Sequence, residues 1–314
     1  MERYNKYSSY LKELYGEKVY KIPVNLPLTC PNRDGEVAHG GCTFCGDVAT
    51  GFEALDNAMS VKTQLETNIE KMTKRYKAKK YIAYFQNFTN TYMPLDEFKT
   101  YLEEACIDDI VEICISSRPD CINDAYLEIL KEIQTRFDVN ISVELGLQSM
   151  DHKTLSQINR GHSLAEFIDA VMRIKRYNFK VGVHLILNLP WDDLEDTIET
   201  AKVMSALDID LIKIHSLYIL RNTKMGDDYL NQAFTVESVD SYVDKVVSFI
   251  SYTQPKVAFQ RLLGRAPKEE TLFCNWNTSW WKIQDMIEMK LENLDIIQGD
   301  RCDYLNGKAV KKFI

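Results

Sequence analysis

Three thiols stand apart from the rest of the chain. Cys30, Cys42 and Cys45 form a C-x11-C-x2-C pattern. Two thiols separated by two residues can turn toward one atom without straining the backbone. Pro31, Gly35, Gly40 and Gly41 mark the stretch between the first and second cysteine as loop, and Gly40-Gly41 lets the backbone pass close beside a bound group. A loop offering three thiolates is a metal or cluster site. Structural zinc wants four ligands, and His39 could supply the fourth in a Cys3His set. An iron–sulfur cluster held by only three protein thiolates keeps one iron open for another ligand. The local spacing leaves these two chemistries level.

The other five cysteines carry no ligand spacing. Cys114 lies in the apolar run Val111–Ile115 and reads as a buried, inert thiol. Cys106, Cys121, Cys274 and Cys302 are assigned nothing. There is no G-x-G-x-x-G after a strand, no Walker A loop, no H-E-x-x-H and no G-x-S-x-G, so nucleotide hydrolysis and triad hydrolysis have no support.

The elements that must position the thiols are regular. Compact β-branched or aromatic runs occur at Lys18–Leu26, Tyr81–Gln86, Val111–Ser116, Asn140–Leu147, Lys180–Leu187 and Leu211–Leu217, with a weaker one at Lys256–Gln260. Segments of helical spacing alternate with them, at 57–77, 94–105, 123–136, 151–159, 163–177 and 192–206. A recurrence of roughly thirty residues with a helix between strands is the βα unit of a parallel sheet. The pattern predicts an α/β protein, a partial (β/α)6 TIM-like barrel over residues 1–225, with a C-terminal extension over 226–314 packed on it. Active residues of such a barrel sit at the C-terminal ends of its strands, and the cysteine loop directly follows the first.

Composition agrees with an ordinary globular protein: 314 residues, 45% hydrophobic, 27% charged, with 13 Gly and 8 Pro. No apolar run approaches the ~18 residues of a membrane span, and residues 1–7 lack the apolar stretch of a signal peptide. A cytoplasmic protein with no membrane partner is expected. The net charge of −8 argues against indiscriminate nucleic-acid binding, though not against a local basic patch.

With these motifs in hand, the chain resembles the radical S-adenosylmethionine (SAM) superfamily. It is nearest to the subgroup of the Elongator catalytic subunit and its small bacterial relatives of the YhcC/YtqA type. The usual cysteine loop of that superfamily is C-x3-C-x2-C, and the long first spacing here is a mark of the subgroup. The likeness runs from residue 10 to about 280 through Cys30–Gly35, Gly40–Cys45, Tyr84–Tyr92, Ser117–Cys121, Val143–Ser149, Asn159–His162, His184–Pro190 and Lys213–Leu217. The Elongator acetyltransferase domain is not matched, so acetyl transfer is not implied.

The resemblance favours the iron–sulfur reading. It implies that Cys30, Cys42 and Cys45 hold three irons of a [4Fe-4S] cluster, that SAM binds the fourth, and that reductive cleavage of SAM yields a 5′-deoxyadenosyl radical. It implies an external electron donor such as flavodoxin or ferredoxin. The implied SAM-binding residues are Gln86 and Asn87, through backbone contacts to the methionine amine, Glu144 toward the ribose or ammonium, Gln148, Arg160 and His184. Ser116, Arg118 and Asp120 close the third strand and face the same mouth. Arg160 could clamp the SAM carboxylate, since a guanidinium matches a carboxylate bidentately. Lys213 and His215 alternate on one face of a strand, where a barrel interior would bring them to substrate as catalytic residues; a buried ion pair would look the same.

The Elongator-type relatives imply tRNA as partner, at the anticodon stem-loop. The implied chemistry is processing of the C5 side chain of the wobble uridine, specifically carboxymethylaminomethyluridine to aminomethyluridine. Basic clusters at Lys71–Lys80, Arg173–Lys180 and Arg301–Lys312 could form a phosphate track, and Trp276, Trp280 and Trp281 could stack on a splayed base. Two other readings stay open: a radical SAM enzyme acting on a small metabolite or peptide, and a zinc-stabilised RNA-binding barrel.

Overall fold

The computed structural model describes residues 2–46, 54–267 and 269–313. Its strands are β1 (Val19–Asn25), β2 (Lys80–Gln86), β3 (Ile110–Ser117), β4 (Asn140–Gln148), β5 (Lys180–Ile186), β6 (Leu211–His215), β7 (Tyr218–Leu220), β8 (Ala258–Arg261) and β9 (Thr271–Cys274). The helices are α1 (Tyr7–Tyr15), α2 (Pro31–Asp34), α3 (Val61–Tyr76), α4 (Leu95–Ala105), α5 (Asp124–Phe137), α6 (His152–Gln157), α7 (Leu164–Arg176), α8 (Leu194–Ala206), α9 (Lys224–Leu230), α10 (Val239–Tyr252) and α11 (Trp280–Asn293). The main sheet has seven strands in the order β1-β2-β3-β4-β5-β6-β8, and β7 pairs with β9 in a separate antiparallel ribbon. This order, with helices between consecutive strands, is that of the expected partial (β/α) barrel.

Each predicted run becomes a strand within one or two residues. The weak run at Lys256–Gln260 matters more than its composition suggests: as β8 it pairs in parallel with β6 and adds a seventh strand to the six expected. The run Leu211–Leu217 stops early at His215, and Tyr218–Leu220 leaves for the small ribbon. Among the described residues no helix is long and apolar enough to cross a membrane.

The chain divides into two compact units. One holds Ser8–Leu147 and Asn159–Val183; the other holds Met1–Tyr7, Gln148–Ile158 and His184–Ile314. In the first unit, β1 to β4 run parallel with registers such as Val24↔Phe85, Tyr84↔Cys114 and Ser116↔Glu144. Three of its helices start on side-chain caps: Ser60 on α3, Asn123 on α5, and a reciprocal Ser163–Glu166 capping box on α7. In the second unit, α8 opens on an Asp193–Asp196 box. Tyr242 of α10 is buried and donates its hydroxyl to the Leu262 carbonyl at 2.6 Å.

Charge is also buried in the first unit. Glu112, 1% exposed, accepts from Tyr15 Oη at 2.6 Å and Ser142 Oγ at 2.6 Å, with Lys180 Nζ at 3.4 Å. Lys180 also lies over the rings of Tyr10 and Tyr15. Removing one partner of such a pair leaves a carboxylate in low dielectric with only hydroxyl donors. Lys180→Met should therefore lower stability by about 3 kcal/mol, and Ser142→Ala by about 1 kcal/mol. Urea midpoints of the two variants check this.

Candidate radical SAM site

The stretch after β1, expected as loop, contains one helical turn. Cys30 precedes α2, whose first residue is Pro31, a favoured opening because proline needs no N–H there. The turn ends on Gly35 in the left-handed region, φ 101°. Farther on, Cys45 N–H donates to the Cys42 carbonyl at 2.9 Å, closing the C-x2-C turn.

Cationic and amide donors converge on the sulfurs. Arg160 Nη1 lies 3.3 Å from Cys42 Sγ, and Asn32 Nδ2 lies 3.6 Å from it. Arg33 Nη2 lies 3.3 Å from Cys45 Sγ and also donates to the Gly46 carbonyl. Burial pushes the Cys45 thiol up, as does the negative charge available on Cys42; Arg33 pulls it down. Donors around sulfur suit thiolates that carry charge to a bound iron–sulfur cluster. Among the described residues, no three His, Cys, Asp or Glu side chains are gathered closely enough to hold a single ion. The His39 carbonyl accepts from Asn159 Nδ2, and its ring lies against Gly35.

Arg160 anchors this loop to the sheet. Its Nε and Nη2 donate to the Gly146 carbonyl on β4 at 3.2 and 2.5 Å, while its own carbonyl accepts from Arg118 Nη1 at 2.9 Å. Arg118, 2% exposed, forks onto Asp120 at 2.9 and 2.8 Å. Gly161 follows at φ +76°, and a Cβ there would stand 2.2 Å from Asn32 Oδ1; only glycine admits the α2 turn this close.

Of the remaining predicted residues of the first unit, Gln86, Asn87 and Ser116 lie at strand ends and Glu144 in the middle of β4. Gln86 ends β2; Asn87 follows in the left-handed region at φ 80°, its Nδ2 donating to Asn25 Oδ1 at 2.7 Å. Ser116 Oγ donates to Tyr84 Oη at 3.0 Å. Glu144 is fully buried and ion-paired with Lys21 of β1, a partner that sequence reading missed. Lys21 Nζ also lies 3.6 Å from Cys114 Sγ and 4.4 Å from the Tyr84 ring centre. Burial pulls the Lys21 ammonium toward neutrality, but Cys114, Glu144 and Tyr84 outweigh it and raise its pKa. A lysine inside a strand gives no spacing signal that would have found it. Cys114 is buried as expected.

Gln148, His184, Lys213 and His215 belong to the second unit. The His184 and His215 rings lie 5.7 Å apart. Arg261, another residue the sequence reading missed, places Nη2 at 2.6 and 2.8 Å from the two ring nitrogens of His215.

The basic and aromatic clusters fare unevenly. Arg173 is paired with Asp169 and Asp124, and Lys180 with Glu112, so neither is a loose surface charge. Trp276 is half-buried, packs against Tyr242 and Phe273 and donates Nε1 to the Glu237 carbonyl at 2.6 Å. Trp280 and Trp281 are 40% and 51% exposed, with Arg265 over the first ring and Lys282 over the second.

Comparison with known proteins decides the chemistry. Residues 30–203 match the Radical SAM superfamily, and residues 209–293 match the Radical_SAM C-terminal domain. The chain belongs to the radical SAM superfamily. It is a radical SAM enzyme, and its cofactors are a [4Fe-4S] cluster and SAM. The chain is 36% identical over 299 residues to the uncharacterized protein YtqA of Bacillus subtilis, covering 95% of this chain and 92% of that one. It is 28% identical over 150 residues to the tRNA uridine(34) acetyltransferase of Methanocaldococcus infernus, covering 46% of this chain and 27% of the relative. The structure of archaeal Methanocaldococcus infernus Elp3 shares the fold at TM-score 0.69 and 16% identity, covering 89% of this chain. This chain spans 64% of the length of that structure.

One buried group gives the first unit a pH signature. His162 Nε2 lies 3.1 Å from the Gly146 carbonyl and Nδ1 lies 3.3 Å from the Ser163 carbonyl. Burial, then the charges of Arg160 and Arg118, push its pKa down from 6.5 to about 3. The unfolded chain binds this proton near pH 6.5 and the folded chain does not, so the stability from neutral His162 is full above pH 6.5 and is lost as pH falls toward 3. Urea midpoints from pH 7 to 4.5 should fall more steeply for the wild type than for His162→Gln, and the His162 imidazole resonance should stay at its neutral position at pH 5.

Proposed function

We propose that Cys30, Cys42 and Cys45 hold three irons of the cluster, and that the enzyme converts carboxymethylaminomethyluridine to aminomethyluridine at the wobble position of tRNA. The observation that carries the tRNA reading is the likeness, across 46% of this chain, to a protein named tRNA uridine(34) acetyltransferase. The exposed Trp280–Trp281 pair with Arg265 and Lys282 supports it, because aromatic faces backed by cations are what unstacked RNA bases bind.

The cluster and SAM supply a one-electron cleavage that creates a hydrogen-abstracting group. The protein's own residues bind, orient and shield. Arg160, Asn32 and Arg33 hold the cysteine loop and its sulfur charge. Glu144, paired with Lys21, faces SAM together with Gln86, Asn87 and Ser116, and Gln148 and His184 are the SAM-binding residues assigned to the second unit. Arg118 and Asp120 fix the Arg160 backbone. Lys213 and His215 meet the substrate. Removal of a hydrogen atom from the carboxymethyl carbon beside the amine nitrogen, and then of one electron, would leave an imine that water splits at the carbon–nitrogen bond into aminomethyluridine and glyoxylate, with SAM the oxidant that ends as methionine and 5′-deoxyadenosine.

Two experiments test the reading in separate parts. Replacement of any of Cys30, Cys42 or Cys45 by alanine should abolish iron binding after anaerobic reconstitution and reduce deoxyadenosine formation by at least a hundredfold; wild-type turnover in any of the three would overturn the cluster assignment. Reduced enzyme, an electron donor such as flavodoxin or ferredoxin, SAM and tRNA bearing carboxymethylaminomethyluridine should give aminomethyluridine on nucleoside mass analysis. No change in any uridine derivative, with SAM still cleaved, would leave the enzyme to a small metabolite or peptide.

A further inference from the structure

Lys213 and His215 lie on β6, and His184 lies on β5. The structure adds Arg261 at the end of β8, where Lys213 and Arg261 are direct Cα partners across the parallel pair. His215 and Arg261 are each the last residue of their strand, and a (β/α) barrel carries its ligand groups at that end. All four side chains are half-buried while their strand neighbours Ile212, Ile214, Phe259 and Leu185 are buried.

Arg261 keeps its charge at any accessible pH. With its guanidinium beside the His215 ring, the His184 ring 5.7 Å from that of His215, and Lys213 in register with it, one face of three strands gathers two basic side chains and two imidazoles.

The backbone that presents these groups is fixed by a buried polar network. Ser216 Oγ donates to Asn275 Oδ1 at 2.6 Å, Gly264 N–H donates to Ser216 Oγ at 2.9 Å, and Asn275 Nδ2 donates to the Gly264 carbonyl at 3.0 Å. Leu217 N–H donates to Asn188 Oδ1 at 2.6 Å. A Cβ on Gly264 would stand 2.6 Å from the Ser216 carbonyl oxygen, so the two strand exits pass as closely as backbone allows. Side chains supported this way meet a ligand with little reorganisation.

We infer that Arg261, with His215, His184 and Lys213, recognises the carboxylate of the substrate's side chain. The inference rests on the tRNA reading above and deepens it. A guanidinium pairs with a carboxylate through two parallel N–H bonds, and neighbouring cationic groups strengthen that pairing. The same face distinguishes substrate from product. The substrate side chain ends in a carboxylate, whereas the aminomethyl product ends in an ammonium that the cluster repels. Loss of the carboxymethyl unit thus removes the attractive group and exposes a repelled one.

The test compares tRNA carrying carboxymethylaminomethyluridine with tRNA carrying aminomethyluridine, binding each to the reconstituted enzyme with SAM present. The wild type should prefer the first by about tenfold or more, the worth of a charge-assisted bidentate contact. Arg261→Gln should lose that preference by binding the first tRNA more weakly and aminomethyl tRNA no more weakly than the wild type does, and Arg261→Lys should retain part of it; matched melting temperatures show both variants folded. A wild type without preference overturns the inference, as does Arg261→Gln weakening both tRNAs equally, which would assign Arg261 to backbone phosphate. Failure of either tRNA to bind would count against the tRNA reading alone. The free nucleoside 5-carboxymethylaminomethyluridine, which has no phosphate, then decides the carboxylate site. It should shift the His184 and His215 imidazole resonances in the wild type and not in Arg261→Gln; no shift in the wild type overturns the inference.

Discussion

A guanidinium held between a main-chain carbonyl and a sulfur is the constraint on which the cysteine loop depends. Arg160 spends two donors on the Gly146 carbonyl of β4 and turns a third to Cys42 Sγ. A neutral side chain in that place would bring no charge to offset a thiolate. The rest of the loop is built around this contact. Arg118 grips the Arg160 carbonyl, Asp120 neutralises Arg118, and Gly161 gives Asn32 room to donate to both Cys42 and the Asn159 carbonyl at 2.6 Å. A long C-x11-C spacing thus becomes a defined site: the extra residues form a helical turn whose Asn32 and Arg33 are themselves sulfur donors.

Below that loop the strand interiors of the first unit hold charge in successive levels. Nearest the strand starts, Glu112 is satisfied by Tyr15, Ser142 and Lys180. Farther along, Lys21 meets Glu144, Cys114 and the Tyr84 ring, and Ser116 bonds Tyr84. Apolar residues would fill this interior at lower desolvation cost. Pairing each buried carboxylate with a lysine offsets part of that cost.

The legible part of this molecule was the part written in periodicity and in local spacing. β-Branched runs recurring with helices between them located every strand of the main sheet, and the C-x2-C pair with its glycines marked the loop. Lys21 and Arg261 were not legible, for two physical reasons. Their partners are distant in sequence: Lys21 finds Glu144 123 positions away. Each also sits where its residue type is ordinary, a lysine in a half-polar strand or an arginine after a weak one. Trp276 shows the converse. Grouped by sequence with Trp280 and Trp281, it is half-buried against Tyr242 and Phe273, its backbone at φ 49°, while the other two are exposed.

The weak run before Arg261 carries a broader lesson about the C-terminal region. Four residues, Ala258–Arg261, suffice for a strand because Ala258 and Phe259 are buried and pair with Leu211 and Ile212. Phe259 is further fixed by a bridge to Lys6 and by edge contacts with Tyr4 and Phe249. Once that short strand is in register, its last residue must emerge beside Lys213 and His215. The extension is thus more than a cover for apolar surface. It supplies the strand whose exit places a permanent cation next to the two residues that the sequence had already marked for substrate, and the Ser216–Gly264–Asn275 network keeps that exit from shifting.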